Sequence, residues 1–201
     1  MYKDVSIESF LNDLADKEVE MGGGSLIGLN LASVCALIEY IANLTLGKKK
    51  YMSVQDEVKV ILEEARRLKE DSLEIIDKDK EILEEILLTY KLKEEAKDEY
   101  DKTLIKAVDF SFDVLNKSIE VLKLALKISK IGNLMLVSDF EICANTSYNA
   151  AENSVTNIKI NLLNLEDENY IEKCKNRYLK ILDEAYEIRE DILKISGSML
   201  K

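Results

Sequence analysis

The chain has no histidine and no proline, only seven glycines, and three cysteines in 201 residues. Without histidine, Ser-His and Cys-His nucleophiles, imidazole zinc sites and imidazole bases are all excluded. Acid–base chemistry must then run on Asp, Glu, Lys, Tyr or Cys. Without proline, and with glycine scarce, helix breakers are few, so long helices are the architecture that fits. Cys35, Cys143 and Cys174 are far apart and stand on apolar positions. That predicts buried free thiols in a reducing cytosol, not a disulfide framework. Positive charge is also short: 28 Lys and Arg against 39 Asp and Glu leave a net −11. Nucleic acid and anionic membranes are therefore poor partners. The opening run Met1-Tyr2-Lys3-Asp4 does not read as a signal peptide, and a cytoplasmic location is expected.

What is present, 47% hydrophobic and 33% charged residues, suits a single soluble domain over 1–201 with a core of its own. The chain is organised around Gly22-Gly23-Gly24-Ser25, the apolar segment Leu26 to Leu46, and the closing run Gly47-Lys48-Lys49-Lys50. Three glycines let the backbone turn sharply and approach a ligand. Ser25 reads as an N-cap, and a helix start presents free N–H groups to an anion. Gly47 stops the helix, with three lysines at its negative end. Glu39 is the one charge between Leu26 and Leu46. A membrane span fits by length, but Asn30, Ser33, Glu39 and Asn43 oppose it. Two readings remain, a plain core helix or a central helix whose few polar side chains face a site.

Before it, Ser6 caps a short helix with Ile7, Phe10, Leu11 and Leu14 on one face, ending near Glu18. After it, Ser53 with Asp56 reads as a cap. From there Val58, Ile61, Ala65, Leu68, Ser72, Ile75, Asp79, Ile82 and Ile86 hold one face for many turns. Asp79 is the carboxylate on that inward stripe. Asp77 falls about 200° around the helix from it. A carboxylate turned inward is costly unless it is paired or used, and the pattern leaves both open. Unbroken from Ser53 to Tyr90, this helix would be roughly 57 Å long. A globule of this size has a radius of gyration of only ~17 Å, which favours a dimer with interleaved helices.

Lys91 to Lys102 reads as an exposed connection, with Thr103 opening the next helix. That helix carries two apolar stripes and stops at Gly132-Asn133. Ser138-Asp139-Phe140-Glu141 has the form of a capping box. Behind it Asn145, Asn149, Asn153, Asn157 and Asn161 recur every fourth residue, although asparagine is a mediocre helix former. A partly buried polar lining is the favoured reading over a solvent stripe. A final packing helix starts near Glu168.

The order of these motifs resembles the cyclodeaminase domain of formiminotransferase-cyclodeaminase and the related stand-alone methenyltetrahydrofolate cyclohydrolases. The residues that carry it are Gly22 to Ser25, Asn43 to Lys50, Asp77-Lys78-Asp79, Gly132-Asn133 followed by Ser138-Asp139, and Asn157 to Leu162. Glu20-Met21 and Ile82-Leu83 depart from the family's usual Thr-Pro and Ala-Phe. The resemblance covers essentially the whole chain. It implies an all-α bundle of long helices forming an intertwined homodimer. It also implies a tetrahydrofolate derivative as substrate, with no metal and no further cofactor. The implied reactions are cyclisation of 5-formiminotetrahydrofolate with release of ammonia, and interconversion of 5,10-methenyl- and 10-formyltetrahydrofolate. The family's catalytic aspartate falls within Asp77-Lys78-Asp79, where the stripe independently selects Asp79. Gly23, Gly24, Ser25 and Lys48 become candidates for the anionic glutamate tail, Asn133, Asn157 and Asn161 for the pterin, and Asp139 for the cationic methenyl group. The competing class is a non-catalytic helical assembly or adaptor, which would account for the stripes and the acidity but not for Asp79 or the asparagines.

Overall fold

The structure is a computed structural model that describes residues 2–199; Met1, the first residue of the N-terminal run weighed above, lies outside them. Among the described residues there are six α-helices and no strand: α1 Ile7–Ala15, α2 Gly23–Thr45, α3 Gln55–Tyr90, α4 Lys97–Ile131, α5 Val137–Leu162 and α6 Glu168–Met199. Short 3-10 turns precede α1, α3 and α5. Helices α2 to α6 run alternately up and down. Polar contacts between helices mark the register: Glu39 of α2 pairs with Lys69 of α3, Lys127 of α4 pairs with Glu64, and Arg189 Nε of α6 donates to the Asn145 side-chain carbonyl of α5.

Helix α2 packs on α3, α4 and α5. Leu31, Cys35, Ile38 and Ile41 lie wholly inside, with Leu68, Leu115, Leu122, Phe112 and Phe140 around them. The contact with α3 is close because residue 28 is glycine. A Cβ there would stand 2.9 Å from the Ser72 carbonyl oxygen and 3.1 Å from Ile75. The single charge of α2, Glu39, is neutralised sideways by Lys69 and Arg66. All three cysteines are free and buried, as expected, and burial pushes the Cys35 and Cys143 thiols up to about 12.

The stripe of α3 buries Val58, Ile61, Ala65, Leu68, Ser72 and Ile75, while Asp79, Ile82 and Ile86 are half-buried. The change falls where α3 passes the start of α2 and loses its cover. The helix stays unbroken to Tyr90, so its last turns overhang α2.

Several helix starts differ from the expectation, for one common reason: the chain is already turning before the presumed cap. Ser25 is the third residue of α2, whose cap is Gly22. Ser53 lies inside the 3-10 turn Lys49–Val54, and Gln55 does the tying instead: its Oε1 accepts from Gly47 N–H and its Nε2 donates to the Tyr51 carbonyl. Ser138 and Asp139 sit within the first turn of α5. Capping passes to Asn133 one turn earlier, where its Oδ1 accepts from Met135 N–H. Helix α4 begins at Lys97, ahead of Thr103, because Tyr100, Thr103 and Leu104 all have partners to bury against. Helix α1 stops at Ala15.

The asparagine ladder does not form one lining. Asn145, Asn149 and Asn153 are exposed, and only Asn157 and Asn161 turn inward. A step of four residues advances about 400° at ~100° per residue, so a row of five drifts by roughly 160° and cannot hold one face.

Candidate functional site

The site sits where α2 begins. Gly22 is extended, Gly23 to Ser25 form the first turn, and the first amides of a helix have no acceptor within it. Asp79 reaches across from α3. Its Oδ2 accepts from the Ser25 N–H at 2.8 Å and from the Ser25 hydroxyl at 2.8 Å. Gly24 is required beside it, because a methyl group there would collide with the carboxylate. Sequence, local turn and tertiary contact thus converge on one carboxyl group.

Around Asp79 lies a cleft of about 160 Å³. Gly22 to Gly24 form one wall and Ile82, Leu83 and Ile86 of α3 another. Ala107, Phe110 and Ser111 of α4 close the floor, and Asn157, Ile160 and Asn161 of α5 the far side. Ile82 and Leu83, the departures noted above, are lining residues. Burial raises the Asp79 pKa above the usual carboxylate range, and the two Ser25 donors pull it only part of the way back. The result is a carboxyl group suited to giving and taking a proton, held in a fixed orientation beside apolar walls and two amides.

The remaining candidates divide by place. Gly23, Gly24, Ser25, Asn157 and Asn161 share the cleft with Asp79. Asp77 does not. Its Oδ1 accepts from Tyr2 N–H at 3.0 Å, and it lines a separate groove with Asp13, Lys80 and Glu84. Lys48, Asn133 and Asp139 lie at the other end of α2, roughly 35 Å from Asp79 by helix length. Asn133 is buried and fully engaged there: its Nδ2 donates to the Leu44 carbonyl, and its own N–H donates to the Thr45 hydroxyl. Asp139, half-buried in the first turn of α5, complements the helix dipole. The apolar residues Phe110 and Ile160 were not singled out from the sequence. They sit on or between stripes, and no one-dimensional signal separates lining from packing.

The family model of formiminotransferase-cyclodeaminase matches residues 6–180. The chain belongs to the formiminotransferase-cyclodeaminase family. It is 28% identical over 194 residues to methenyltetrahydrofolate cyclohydrolase of Methylorubrum extorquens, covering 93% of each chain. It is 21% identical to formimidoyltransferase-cyclodeaminase of Rattus norvegicus over 90% of this chain but only 35% of that much longer one. The crystal structure of formiminotetrahydrofolate cyclodeaminase from Thermotoga maritima superposes with a TM-score of 0.86 at 26% identity, covering 100% of this chain and 98% of the other. The family and the all-α architecture are thereby established for this chain.

Proposed function

We propose that this family member acts on the one-carbon bridge between N5 and N10 of tetrahydrofolate, with Asp79 as the proton-transferring group. One observation carries the reading: a half-buried carboxyl group of raised pKa, oriented by Ser25 at the open start of an apolar helix. In cyclodeamination N10 attacks the formimino carbon. The C–N10 bond forms, N10 gives up its proton, and the C–N bond to the leaving nitrogen breaks once that nitrogen is protonated. Asp79 takes the first proton and returns one to the ammonia that departs. In hydrolysis of the methenyl compound, Asp79 accepts a proton from the attacking water. The new C–O bond forms, the C–N5 bond breaks as N5 receives that proton, and the remaining hydroxyl proton passes to solvent as the formyl C=O forms. Before either carbon becomes tetrahedral, the ionised carboxylate also offsets the positive charge of the methenyl or formimino group.

Ser25 is a positioning residue: its two donors occupy Asp79 Oδ2, and Oδ1 lies against Gly24 at the cleft wall. Asn157 and Asn161 supply amide donors and acceptors suited to the pterin edge. The Gly23 and Gly24 N–H groups suit an anionic or carbonyl oxygen. No metal and no further cofactor enters this scheme, and the working form is a homodimer.

The test is the methenyl chromophore followed in absorbance, starting once from 5-formiminotetrahydrofolate and once from 5,10-methenyltetrahydrofolate. Turnover from at least one of them is expected, together with saturable tetrahydrofolate binding by titration. Absence of both would overturn the reading.

A further inference from the structure

The cleft wall formed by Gly22 to Gly24 has little of its own to hold it. A Cβ at Gly23 would meet nothing within 4 Å, so no packing fixes the middle of the wall. Gly24 has no slack, because the Asp79 carboxylate fills the place of its missing side chain. A small shift of the wall would therefore draw the Ser25 N–H and hydroxyl off Asp79 Oδ2. Two side chains grip the wall at its upstream end. On the cleft side Leu83 of α3 reaches Gly22, where a Cβ would stand 3.7 Å from Leu83 Cδ2. Outside the cleft Met21, only 9% exposed, packs with Phe10 of α1 and Ile76 of α3 in a small core separate from the main one. Ile76 precedes Asp79 by three residues, so Met21 is pinned to the same stretch of α3 that carries the carboxylate. The Met21 N–H donates to the Val19 carbonyl at 2.8 Å, a tight turn that delivers the chain to Gly22. The Tyr2 N–H, donating to Asp77 Oδ1, ties the segment before α1 to α3 as well.

We propose that Met21 and Leu83 are a pair of positioning residues that hold Gly22 between them and so set where the Gly23–Ser25 turn meets Asp79. Consecutive glycines cannot keep this geometry alone, since each adopts φ of either sign at little cost. Met21 suits its side of the wall: an unbranched, adaptable side chain fills the irregular space between Phe10 and Ile76. Leu83 suits the other, where a branched apolar end rests on backbone and brings no polar group that needs a partner. The pair acts through Gly22, not on the reacting carbon. Both residues stand at the departures noted in the sequence, so the clamp belongs to this chain and not to the family's usual pattern. It also gives α1 a task. Phe10 is the buried residue of that helix, and it is the support against which Met21 packs. The inference deepens the proposed function, and its kinetic arm rests on that reading.

Asp79 is the one ionisable residue among those lining the cleft, so its titration reports where the Ser25 donors stand. Its carboxyl carbon resonance, assigned by its loss in Asp79→Asn, is followed against pH in wild type, Met21→Ala, Leu83→Ala and the double variant. Each single substitution should raise the Asp79 midpoint, because the donors that hold it down are drawn away. Each should also lower kcat about 10-fold with a smaller change in KM. The double variant should lose little more than either single one, since a wall released on one side is no longer held by the other. Met21→Leu should stay within about twofold of wild type. Val58→Ala is the control, buried on α3 but roughly 30 Å from Asp79 by helix length. It should lower the melting temperature and leave both the midpoint and kcat unchanged. Should Met21→Ala fail to fold, Met21→Val takes its place. A midpoint that stays or falls in the folded single variants, kcat losses that multiply in the double variant, or an equal loss in Val58→Ala would each overturn the pairing. A wild type without turnover whose Asp79 midpoint responds as expected would sink the folate reading and leave the pair standing; turnover with an unresponsive midpoint would do the reverse.

Discussion

The two ends of α2 look alike on paper and behave oppositely in the folded chain. Each has glycine, hydroxyl and amide side chains, and charge. At the Thr45 end these groups consume one another. The Thr45 hydroxyl accepts from Asn133 N–H, Asn133 donates to Leu44 and caps the next turn, the Tyr51 hydroxyl accepts from Leu134 N–H, and Gln55 ties Gly47 to Tyr51. At the Gly22 end Ser25 donates to Asp79 across the helices, while Ser111 and Asn161 bond only within their own helices, and the other walls are glycine, alanine, isoleucine, leucine and phenylalanine beside Asn157. A polar cluster that satisfies itself is architecture. A lone carboxyl group, half-satisfied beside apolar walls and a helix start, is a place where a ligand can finish the bonding.

Substitutions can break this contrast, and the largest effect should come from Asp79→Asn. It keeps the acceptor for Ser25 and removes the titrating proton, so kcat should fall by about 10²–10⁴-fold with the helical circular dichroism unchanged. Retained turnover would end the acid–base assignment. Next comes Gly24→Ala, whose methyl group displaces the Asp79 carboxylate. A loss of kcat of at least ~10-fold is expected from misplacement alone. Gly47→Ala, strained at a φ of +73° but far from Asp79, should cost roughly 1 kcal/mol of stability in denaturant titration and leave kcat alone.

Asn133→Ala sharpens the comparison from the other end. It strands a buried carbonyl and uncaps a turn, for a cost of about 1–3 kcal/mol seen as a drop in melting temperature, with kcat unaffected. The smallest effect is on the pH dependence of stability. Because burial raises the Asp79 pKa in the fold above its unfolded value, the native state binds its proton more tightly. Its contribution to stability is therefore full below the unfolded carboxylate pKa and is lost as pH rises through the folded one. Asp79→Asn should melt a few degrees higher than wild type at neutral pH, roughly 1–3 °C, with the gap closing in acid. A gap of the opposite sign would mean that Ser25 outweighs burial.

Much of this fold was legible in the residues. Absent proline and sustained three-four spacing predict long helices, and among the described residues five are found after the short α1. The α3 stripe singled out Asp79 rather than Asp77, and the two side chains do face different grooves. The failures have a common character. The asparagine ladder looked coherent because equal spacing in sequence suggests a shared face, which a step of four does not keep. The caps at Ser25, Ser53 and Ser138 were misplaced because a side chain that can cap a helix says nothing of whether the backbone has already turned. Lys48, Asn133 and Asp139 were grouped with Asp79 because a list of motifs carries no distances.

The sequence by itself determined that this protein is helical, free of imidazole chemistry, and provided with a carboxyl group on an inward stripe. Those are consequences of residue type and period, which are local properties. Tertiary structure decided which polar groups are spent on each other and which are left over. That depends on what α3, α4 and α5 bring within ~3 Å, and hydrogen bonding at such range cannot be read from spacing along one chain.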